Sequence, residues 1–222
     1  MVEKDKNKNY ETYKKIKFLN FWISVFTSTC LLILIEPFIK IWIGEKYLLD
    51  KITLIVIIIN YYQTMMRSTY NIFKDSAGIW IEDKYIPIIQ SLINLITSII
   101  LLKIIGLPGV FIGTILSSLT VWLYSYPKFV YKKLFNKRVL DYYKEIFINL
   151  IIFIIIASIC YIINLYSINI ITSIIICIII PNLILFILYK NTDELKYYLS
   201  LAKRFLLKNK SKAWQNIYFV LI

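Results

Sequence analysis

The sequence predicts an all-α integral membrane protein, in which a bundle of six transmembrane helices is followed by a C-terminal basic amphipathic helix. Of the 222 residues, 59% are hydrophobic and the mean hydropathy is +0.69, whereas soluble domains are about 45–50% apolar. The apolar residues lie in charge-free blocks of about 18 residues or more, which is the length needed to cross a bilayer. Most of the 26 lysines and arginines lie between these blocks.

The first four spans are separated by gaps that contain turn-forming or charged residues. Residues 1–17 are polar and basic, and we expect them to form a cytoplasmic N-terminal segment. Pro37 is expected to end the first span and Pro127 the fourth, because proline interrupts helical hydrogen bonding. Gly106–Gly109 is a tight turn by composition. The four spans are predicted at about residues 18–35, 52–73, 85–102 and 110–126.

The last two spans come from one uncharged run of 44 residues, Ile146–Tyr189. A single helix of that length would measure about 66 Å, twice the hydrocarbon thickness of about 30 Å. The run therefore contains two spans, at about 146–163 and 170–189, with a turn at Asn164–Asn169. Residues 190–222 are expected to form a cytoplasmic tail, whose basic amphipathic helix lies on an anionic leaflet.

The distribution of basic residues predicts that both termini are cytoplasmic. With six spans and the N-terminus inside, the inner side holds 22 lysines and arginines, of which 21 lie in the gaps and one, Arg67, in the second span, and the outer gaps hold 4. This imbalance obeys the positive-inside rule. The bias toward Ile, Lys, Asn and Tyr is typical of an AT-rich bacterial genome, and we expect a multi-pass protein of the bacterial cytoplasmic membrane.

The second span carries a polar stripe along one face. Steps of three and four residues place these side chains together on a helix, and an ionisable group that faces lipid is costly. We therefore expect the stripe to face a cavity, together with the polar faces of the first, third and fourth spans. The stripe consists of Asn60, Gln63, Thr64, Arg67, Asn71, Lys74 and Asp75.

Arg67 is the strongest candidate for a binding residue, because a guanidinium can bind phosphate bidentately. The alternatives are an ion pair with Asp75 or an orientation toward the lipid headgroups. Lys74 is a second candidate cation, or else it belongs to a solvated, mutually paired loop with Glu82 and Asp83.

Five amide side chains near Arg67 are candidate substrate-binding residues, and two of them, Gln90 and Asn94, are candidate ligands for a sugar. Asn60, Gln63 and Asn71 lie on the second span, and Gln90 and Asn94 lie on the third. Amides bind sugar hydroxyls, but hydrogen bonding between helices explains Gln90 and Asn94 equally well.

The sequence lacks the motifs that an enzyme or a cofactor site would need. Histidine, the commonest general base, is absent. The three cysteines, Cys30, Cys160 and Cys177, form no CxxC pattern, so no zinc, haem or disulfide framework is expected. GxxxxGK[ST] and GxSxG are absent. We therefore predict no catalytic residue, no metal site and no cofactor, and we attribute the basic charge to the membrane rather than to nucleic acid.

Three segments form a pattern of charged, aromatic and glycine residues: 37–47 (PFIKIWIGEKY), 67–87 (RSTYNIFKDSAGIWIEDKYIP) and 106–117 (GLPGVFIGTILS). In this order and spacing, they resemble the C-terminal half of bacterial polysaccharide repeat-unit flippases. These proteins belong to the multidrug/oligosaccharidyl-lipid/polysaccharide exporter superfamily. The resemblance extends from about Glu3 to Tyr189.

The resemblance implies that residues 18–189 form one lobe of a two-lobe exporter with twelve to fourteen helices around a basic cavity. Such transporters flip undecaprenyl-pyrophosphate-linked oligosaccharides from the inner to the outer leaflet during O-antigen or capsule synthesis. The N-terminal lobe is missing from this sequence, so we expect a fragment or a half-transporter that needs a second six-helix lobe as its partner.

Two alternatives to a flippase lobe remain. A drug-exporter lobe of the same superfamily is one, although a cationic drug calls for an acidic residue where this stripe is basic. A non-transporting membrane protein of a glycan gene cluster is the other. A membrane-bound glycan polymerase or ligase is disfavoured, because the predicted outer gaps are short.

Overall fold

A computed structural model describes residues 5–205, and every regular element in that range is a helix. The fourth helix is followed directly by a π-helical segment, Val121–Leu134. The helices are α1 (Lys6–Trp42), α2 (Lys51–Ser76), α3 (Tyr85–Ile105), α4 (Leu107–Thr120), α5 (Val139–Asn164), α6 (Ile170–Tyr189) and α7 (residues 193–205).

Five helices of the described range are long and apolar enough to cross a bilayer: α1, α3, α4 with its π-helical continuation, α5 and α6. Helices of this length and composition are typical of a multi-pass membrane protein. Helix α2 is not among the five, because its polar stripe dilutes its apolar residues. That α2 crosses the membrane as well stays a prediction.

The uncharged run of the C-terminal half forms two helices, as predicted. Helix α5 ends at Asn164 and α6 begins at Ile170. Between α3 and α4 the turn is tighter than expected, because Gly106 alone separates the two helices and adopts a φ of 73°. Glycine adopts a positive φ without the steric cost that a Cβ would bring.

The prediction that proline ends the first and fourth spans is wrong. Helix α1 continues through Pro37 to Trp42, and Pro127 lies inside the π-helical segment. Proline lacks one N–H, and a long apolar helix tolerates that loss when nearby groups satisfy the freed carbonyl. Helix α1 also begins at Lys6, so it contains most of the segment that was expected to precede the first span.

Polar side chains join α1 to α2. The Asn20 amide donates to the backbone oxygen of Met65 at 2.7 Å and to Thr69 Oγ1 at 3.0 Å. On a helix with 3.6 residues per turn, Met65 and Thr69 lie on the side of α2 opposite to Arg67. The polar face of α1 therefore packs against α2 away from the stripe, and the expectation that it shares a cavity with the stripe is wrong.

Helix α4 approaches α3 closely at two glycines. A Cβ on Gly109 would lie 2.4 Å from the backbone carbon and oxygen of Leu101, and a Cβ on Gly113 would lie 2.3 Å from Ser98 Oγ. Small residues at such crossings let helix backbones approach each other. The polar face of α3 reaches across this contact, because the Ser98 hydroxyl lies 3.2 Å from the backbone oxygen of Val110.

A cluster of tyrosines forms the core between α1, α2, the π-helical segment and α5. The rings of Tyr70 and Tyr126 stack with centroids 4.8 Å apart, and Tyr13 meets Tyr131 edge to face at 5.7 Å. Such arrangements contribute about 0.5–1.5 kcal/mol beyond the buried area. All five members are 0% exposed: Tyr13, Tyr70, Tyr126, Tyr131 and Tyr142.

The chain divides into two compact units, Met1–Asn182 and Leu183–Ile222. The second unit contains the end of α6 and all of α7. The predicted amphipathic tail helix is thus helical over residues 193–205, while its remainder, 206–222, lies outside the described residues. All residues of the candidate site belong to the first unit.

Replacing Gly113 with leucine should destabilise the packing of α3 on α4. The new side chain meets Ser98 Oγ at 2.3 Å and the Ser98 backbone nitrogen at 2.8 Å, so the helices must separate. We expect a loss of about 1–3 kcal/mol, measured by unfolding of the purified protein in detergent. Leu116→Ala is the matched control, because Leu116 is exposed on the same helix, and equal stability of the two variants would contradict the prediction.

Asp50 should make the stability of α2 depend on pH. Its carboxylate caps the helix, accepting from Thr53 Oγ1 at 2.5 Å and from the Thr53 backbone N–H at 2.9 Å. These bonds, first the hydroxyl and then the N–H, lower the pKa of Asp50. A lowered pKa stabilises the folded state above the ordinary aspartate pKa of about 3.9, and the effect is lost as the pH falls further.

We therefore expect Asp50→Ala to lower the melting temperature at pH 7 and to have less effect near pH 3. The comparison is made with wild-type protein in the same detergent at both pH values. A difference that stays constant across this range would show that the ionised cap does not stabilise α2.

Candidate binding site on α2, α3 and the π-helical segment

The polar stripe of α2 faces α4, its π-helical continuation and α3. The Gln63 amide donates to Ser118 Oγ on α4. One turn further on, Arg67 Nε donates to the hydroxyl of Tyr126 at 3.2 Å. The same hydroxyl donates to Asn71 Oδ1 at 2.8 Å. Successive turns of the stripe therefore find partners along one neighbouring helix.

Arg67, Asn71, Gln90 and Tyr126 form one cluster, which we call the Arg67 cluster. Arg67 Nη2 approaches Gln90 Oε1 of α3 at 3.5 Å, at the limit of a hydrogen bond. The guanidinium is half-buried, Asn71 is exposed and Tyr126 is fully buried. The arginine thus points toward protein on α3 and the π-helical segment, which is the orientation expected for a binding residue.

Arg67 has only neutral hydrogen-bond partners in the described part of the chain. Neither Asp75 nor any other carboxylate of residues 5–205 lies within ion-pair distance of it, so the expected alternative of a structural pair with Asp75 is not formed. A guanidinium has five N–H donors, and the contacts with Tyr126 and Gln90 use two of them. Donors and positive charge therefore remain for an anionic ligand.

Lys74, the second predicted cation, is already paired. Its Nζ forms an ion pair with Asp83, and both side chains are buried, at 9% and 1% exposure. Ser125 lies 3.4 Å from Nζ and donates to Asp83 Oδ2 at 2.7 Å. The pair fastens the loop after α2 to the π-helical segment, and in this structure it is structural.

The other predicted amides do not join the Arg67 cluster. Asn94 Oδ1 accepts from Ser98 Oγ at 2.9 Å and from Thr114 Oγ1 at 3.4 Å, so this side chain takes part in the contact between α3 and α4. Asn60 is half-buried and precedes Gln63 on the stripe by nearly one turn. The structure thus brings Arg67, Asn71 and Gln90 together and leaves the other four predicted residues at separate positions.

Tyr126 is the member of the cluster that sequence analysis missed. It bridges Arg67 and Asn71 although it lies 59 and 55 residues from them in the chain. It is one of 18 tyrosines, so its residue type carried no signal. The polar residues Ser118 and Ser125 on the same helix were the available hint, since both contact the stripe.

No protein-family model, no curated protein and no solved structure matched this chain. The functional argument therefore depends on the residues themselves.

Removing one partner of the Lys74–Asp83 pair should destabilise the protein strongly. In Lys74→Met the Asp83 carboxylate stays buried without its counter-charge, which typically costs about 3–5 kcal/mol. The double variant Lys74→Met/Asp83→Leu removes both charges and should recover most of that loss. Unfolding in detergent measures the three free energies.

Lys133→Met is the matched control for this prediction. Lys133 pairs with Glu82, but both side chains are about half exposed, and an exposed pair contributes about 0–1 kcal/mol. A Lys74→Met variant as stable as the Lys133→Met variant would show that the Lys74 pair is solvated and carries no structural role.

Proposed function

We propose that this chain is one lobe of a transporter that flips undecaprenyl-pyrophosphate-linked oligosaccharide repeat units from the inner to the outer leaflet. The reaction would serve surface polysaccharide synthesis in a bacterial cytoplasmic membrane. The observation that carries the proposal is Arg67, a half-buried guanidinium whose partners among residues 5–205 are all neutral.

A diphosphate supplies what this guanidinium lacks. A cation in a poorly solvated site gains most from a compact anion that accepts two parallel hydrogen bonds. The contact of Nε with Tyr126 fixes the plane of the guanidinium at a fully buried ring, so less side-chain freedom is lost on binding. Tyr126 and Gln90 would then orient Arg67, and Arg67 would bind the pyrophosphate.

The amides beside Arg67 support a sugar next to the phosphate. Asn71 is exposed, and its Oδ1 is held by Tyr126, which leaves its NH₂ group directed away from that bond. An amide can pair with neighbouring sugar hydroxyls as both donor and acceptor. Under the proposal, three further amides contribute to substrate binding only after α4 moves relative to α2 and α3: Gln63, Asn60 and Asn94.

Lys74 has a conditional role in the proposal. In the observed conformation its charge is neutralised by Asp83. It can attract a phosphate only when that pair opens, and opening a buried pair has a large cost. We therefore assign the first contact with the pyrophosphate to Arg67 alone.

The surface of α3 supports the need for a second lobe. None of the residues Tyr85–Ile105 is buried, although α3 carries Gln90 of the Arg67 cluster. A helix that contributes to a binding site from one side only leaves that site open. A second six-helix lobe that covers α3 would enclose it, as alternating access requires.

The basic character of the cluster argues against the drug-exporter alternative. The described residues place a guanidinium, and no carboxylate, at the centre of the site. A cationic drug would be repelled there. A test with both kinds of ligand separates the two functions.

Arg67→Ala should weaken binding of a prenyl diphosphate. Farnesyl diphosphate is the probe, and the purified full chain in lipid nanodiscs is titrated with it. Hydrogen bonds to a charged group contribute about 1.5–3 kcal/mol, so we expect Kd to rise about ten- to hundredfold. Arg67→Lys keeps the charge and loses the bidentate geometry, so it should fall between wild type and alanine.

Lys103→Ala is the control, because Lys103 is an exposed cation on α3 far along the helix from Gln90. Equal affinity of wild type and Arg67→Ala for farnesyl diphosphate would contradict the proposal. Tight binding of ethidium with no binding of farnesyl diphosphate would favour the drug-exporter lobe. In cells, deletion of the locus should cause lipid-linked oligosaccharides to accumulate on the cytoplasmic side.

A further inference from the structure

A cavity of about 290 Å³ is bounded by α1, α2 and α5. Charged and hydroxyl side chains line it together with apolar ones. Glu36 of α1 and Lys51 of α2 supply a carboxylate and an ammonium group. Ser158 and Tyr161 of α5 supply two hydroxyl groups. The cavity therefore differs from a purely apolar groove, because its walls can bind a ligand by charge as well as by burial.

The polar groups lie at one end of the cavity and the apolar groups at the other. Lys51 is the first residue of α2, and Tyr161 belongs to the last turn of α5. At 1.5 Å per residue, the lining residue Ile58 lies about 10 Å beyond Lys51 along α2. The lining residue Ile154 lies about 10 Å from Tyr161 along α5. A lipid has the same arrangement, with a polar head group above its apolar chains.

The cavity is closed at its apolar end and open at its side. The Tyr62 ring stacks on the Phe153 ring with centroids 4.1 Å apart, which joins α2 to α5 at that end. Ile55 of α2 and Ile154 of α5 line the cavity and are about half exposed. In a protein with long apolar helices this opening lies against hydrocarbon, so a lipid chain enters it from the membrane.

Neither charged group of the cavity has a counter-ion in the described part of the chain. Glu36 and Lys51 line the same cavity but form no ion pair with each other or with any other of residues 5–205. Glu36 is half-buried within an apolar stretch of α1, where an unpaired carboxylate is costly. Lys51 is exposed. The cavity thus presents a carboxylate without a cation and an ammonium group without an anion, and both are accessible to a ligand.

We propose that this cavity binds a zwitterionic phospholipid whose head group ends in a primary ammonium, as in phosphatidylethanolamine. The ammonium of the lipid donates to Glu36. The phosphate accepts from Lys51 and from the hydroxyl groups of Ser158 and Tyr161. One acyl chain lies along the apolar end of the cavity, between α2 and α5. A zwitterion matches two separated charges of opposite sign, whereas an anionic lipid would leave Glu36 without a counter-ion.

The carboxylate of Glu36 also distinguishes between zwitterionic head groups. A primary ammonium has three N–H donors, and hydrogen bonds that involve ionised groups are roughly twice as strong as neutral ones. The trimethylammonium group of a choline lipid has no N–H, so it offers Glu36 charge without a hydrogen bond. An ethanolamine lipid should therefore bind more tightly than a choline lipid with the same chains.

The inference does not rest on the proposed transport function. Lys51 and Arg67 are about 24 Å apart along α2, and the Arg67 cluster contacts α3 and the π-helical segment rather than α1 and α5. The ligand of the cavity is zwitterionic, and the ligand of the Arg67 cluster is anionic. Failure of diphosphate binding and failure of ethanolamine-lipid binding are therefore separate results.

The test is native mass spectrometry of the purified full chain in detergent, titrated with dioleoyl lipids that differ only in their head groups. Dioleoylphosphatidylethanolamine should bind about tenfold more tightly than dioleoylphosphatidylcholine, as expected for a hydrogen bond to a charged group. Dioleoylphosphatidylglycerol should bind no more tightly than the choline lipid, because it has no cation for Glu36. Equal affinity for the ethanolamine and choline lipids, or tightest binding of the glycerol lipid, would overturn the proposal.

Glu36→Gln tests the selectivity, because it keeps the shape of the side chain and removes its charge. The preference for the ethanolamine lipid should fall from about tenfold to nearly none. Glu45→Gln is the matched control, because Glu45 lies between α1 and α2, is mostly exposed and pairs with Lys40 outside the cavity. This control should keep the full preference. A preference that survives Glu36→Gln would show that Glu36 does not bind the head group.

Lys51→Met tests the phosphate contact. Both zwitterionic lipids carry the phosphate, so this variant should weaken the binding of both by a similar factor and leave the preference between them intact. Unchanged affinities would overturn the assignment of the phosphate to Lys51. The helical circular dichroism of each variant must match that of the parent before titration, and Glu36→Ser replaces Glu36→Gln if that variant differs.

Discussion

The polar stripe of α2 is the constraint on which the rest of this fold depends. Amides, a guanidinium and an ammonium on one face are costly in apolar surroundings unless neighbouring groups pair with them. The helix formed by α4 and the π-helical segment supplies that pairing through Ser118, Tyr126 and Ser125. The glycines of α4 bring α3 close on the other side. The positions of three helices thus follow from the requirement that one stripe be satisfied.

The two cations of the stripe, Lys74 and Arg67, have different kinds of partner. This difference indicates a structural role for Lys74 and a binding role for Arg67. Lys74 is neutralised by the buried carboxylate of Asp83, which also accepts a hydrogen bond from Ser125, and such a pair stabilises a charge in a fixed position. Within the described part of the chain, Arg67 is held by a phenol and an amide alone, which orient a guanidinium without neutralising it. Of the two cations, the one with no counter-ion among the described residues is the one available to an anion.

The sequence predicted which residues of α2 form the stripe better than it predicted the residues that contact them. Charge-free length and turn residues located the two C-terminal helices, and helical spacing located the face that contains Arg67, Asn71 and Lys74. The pairing of Lys74 with Asp83 was foreseen only as part of a solvated loop, because burial is a property of packing. Tyr126 was missed for the same reason. Sequence periodicity predicts which residues share a face of one helix, whereas these contacts join separate elements of the fold.

Two prolines did not have the effect on the helices that the sequence predicted. Pro37 and Pro127 were expected to end helices, and both lie inside them. Pro127 lies where the backbone has already departed from regular α-helical pairing to the wider π-helical pairing. That π-helical segment carries Trp122, Ser125 and Tyr126. The π-helical segment therefore contains groups that contact α2, although its proline predicted the end of a helix there.

Gln63 connects the two sides of α2. Its amide nitrogen donates to Ser118 on the side of the stripe, while its carbonyl oxygen lacks a partner in the described structure and the residue lines an apolar cavity between α2, α4 and α5. Because the amide group is planar, its nitrogen and its oxygen rotate together, so a change in one contact also changes the other. A shift of α4 along α2 would break the bond to Ser118 and free the amide group of Gln63 to turn. Because packed helices move between discrete arrangements rather than deforming continuously, the Arg67 cluster and the wall of the apolar cavity both depend on the contact between α2 and α4.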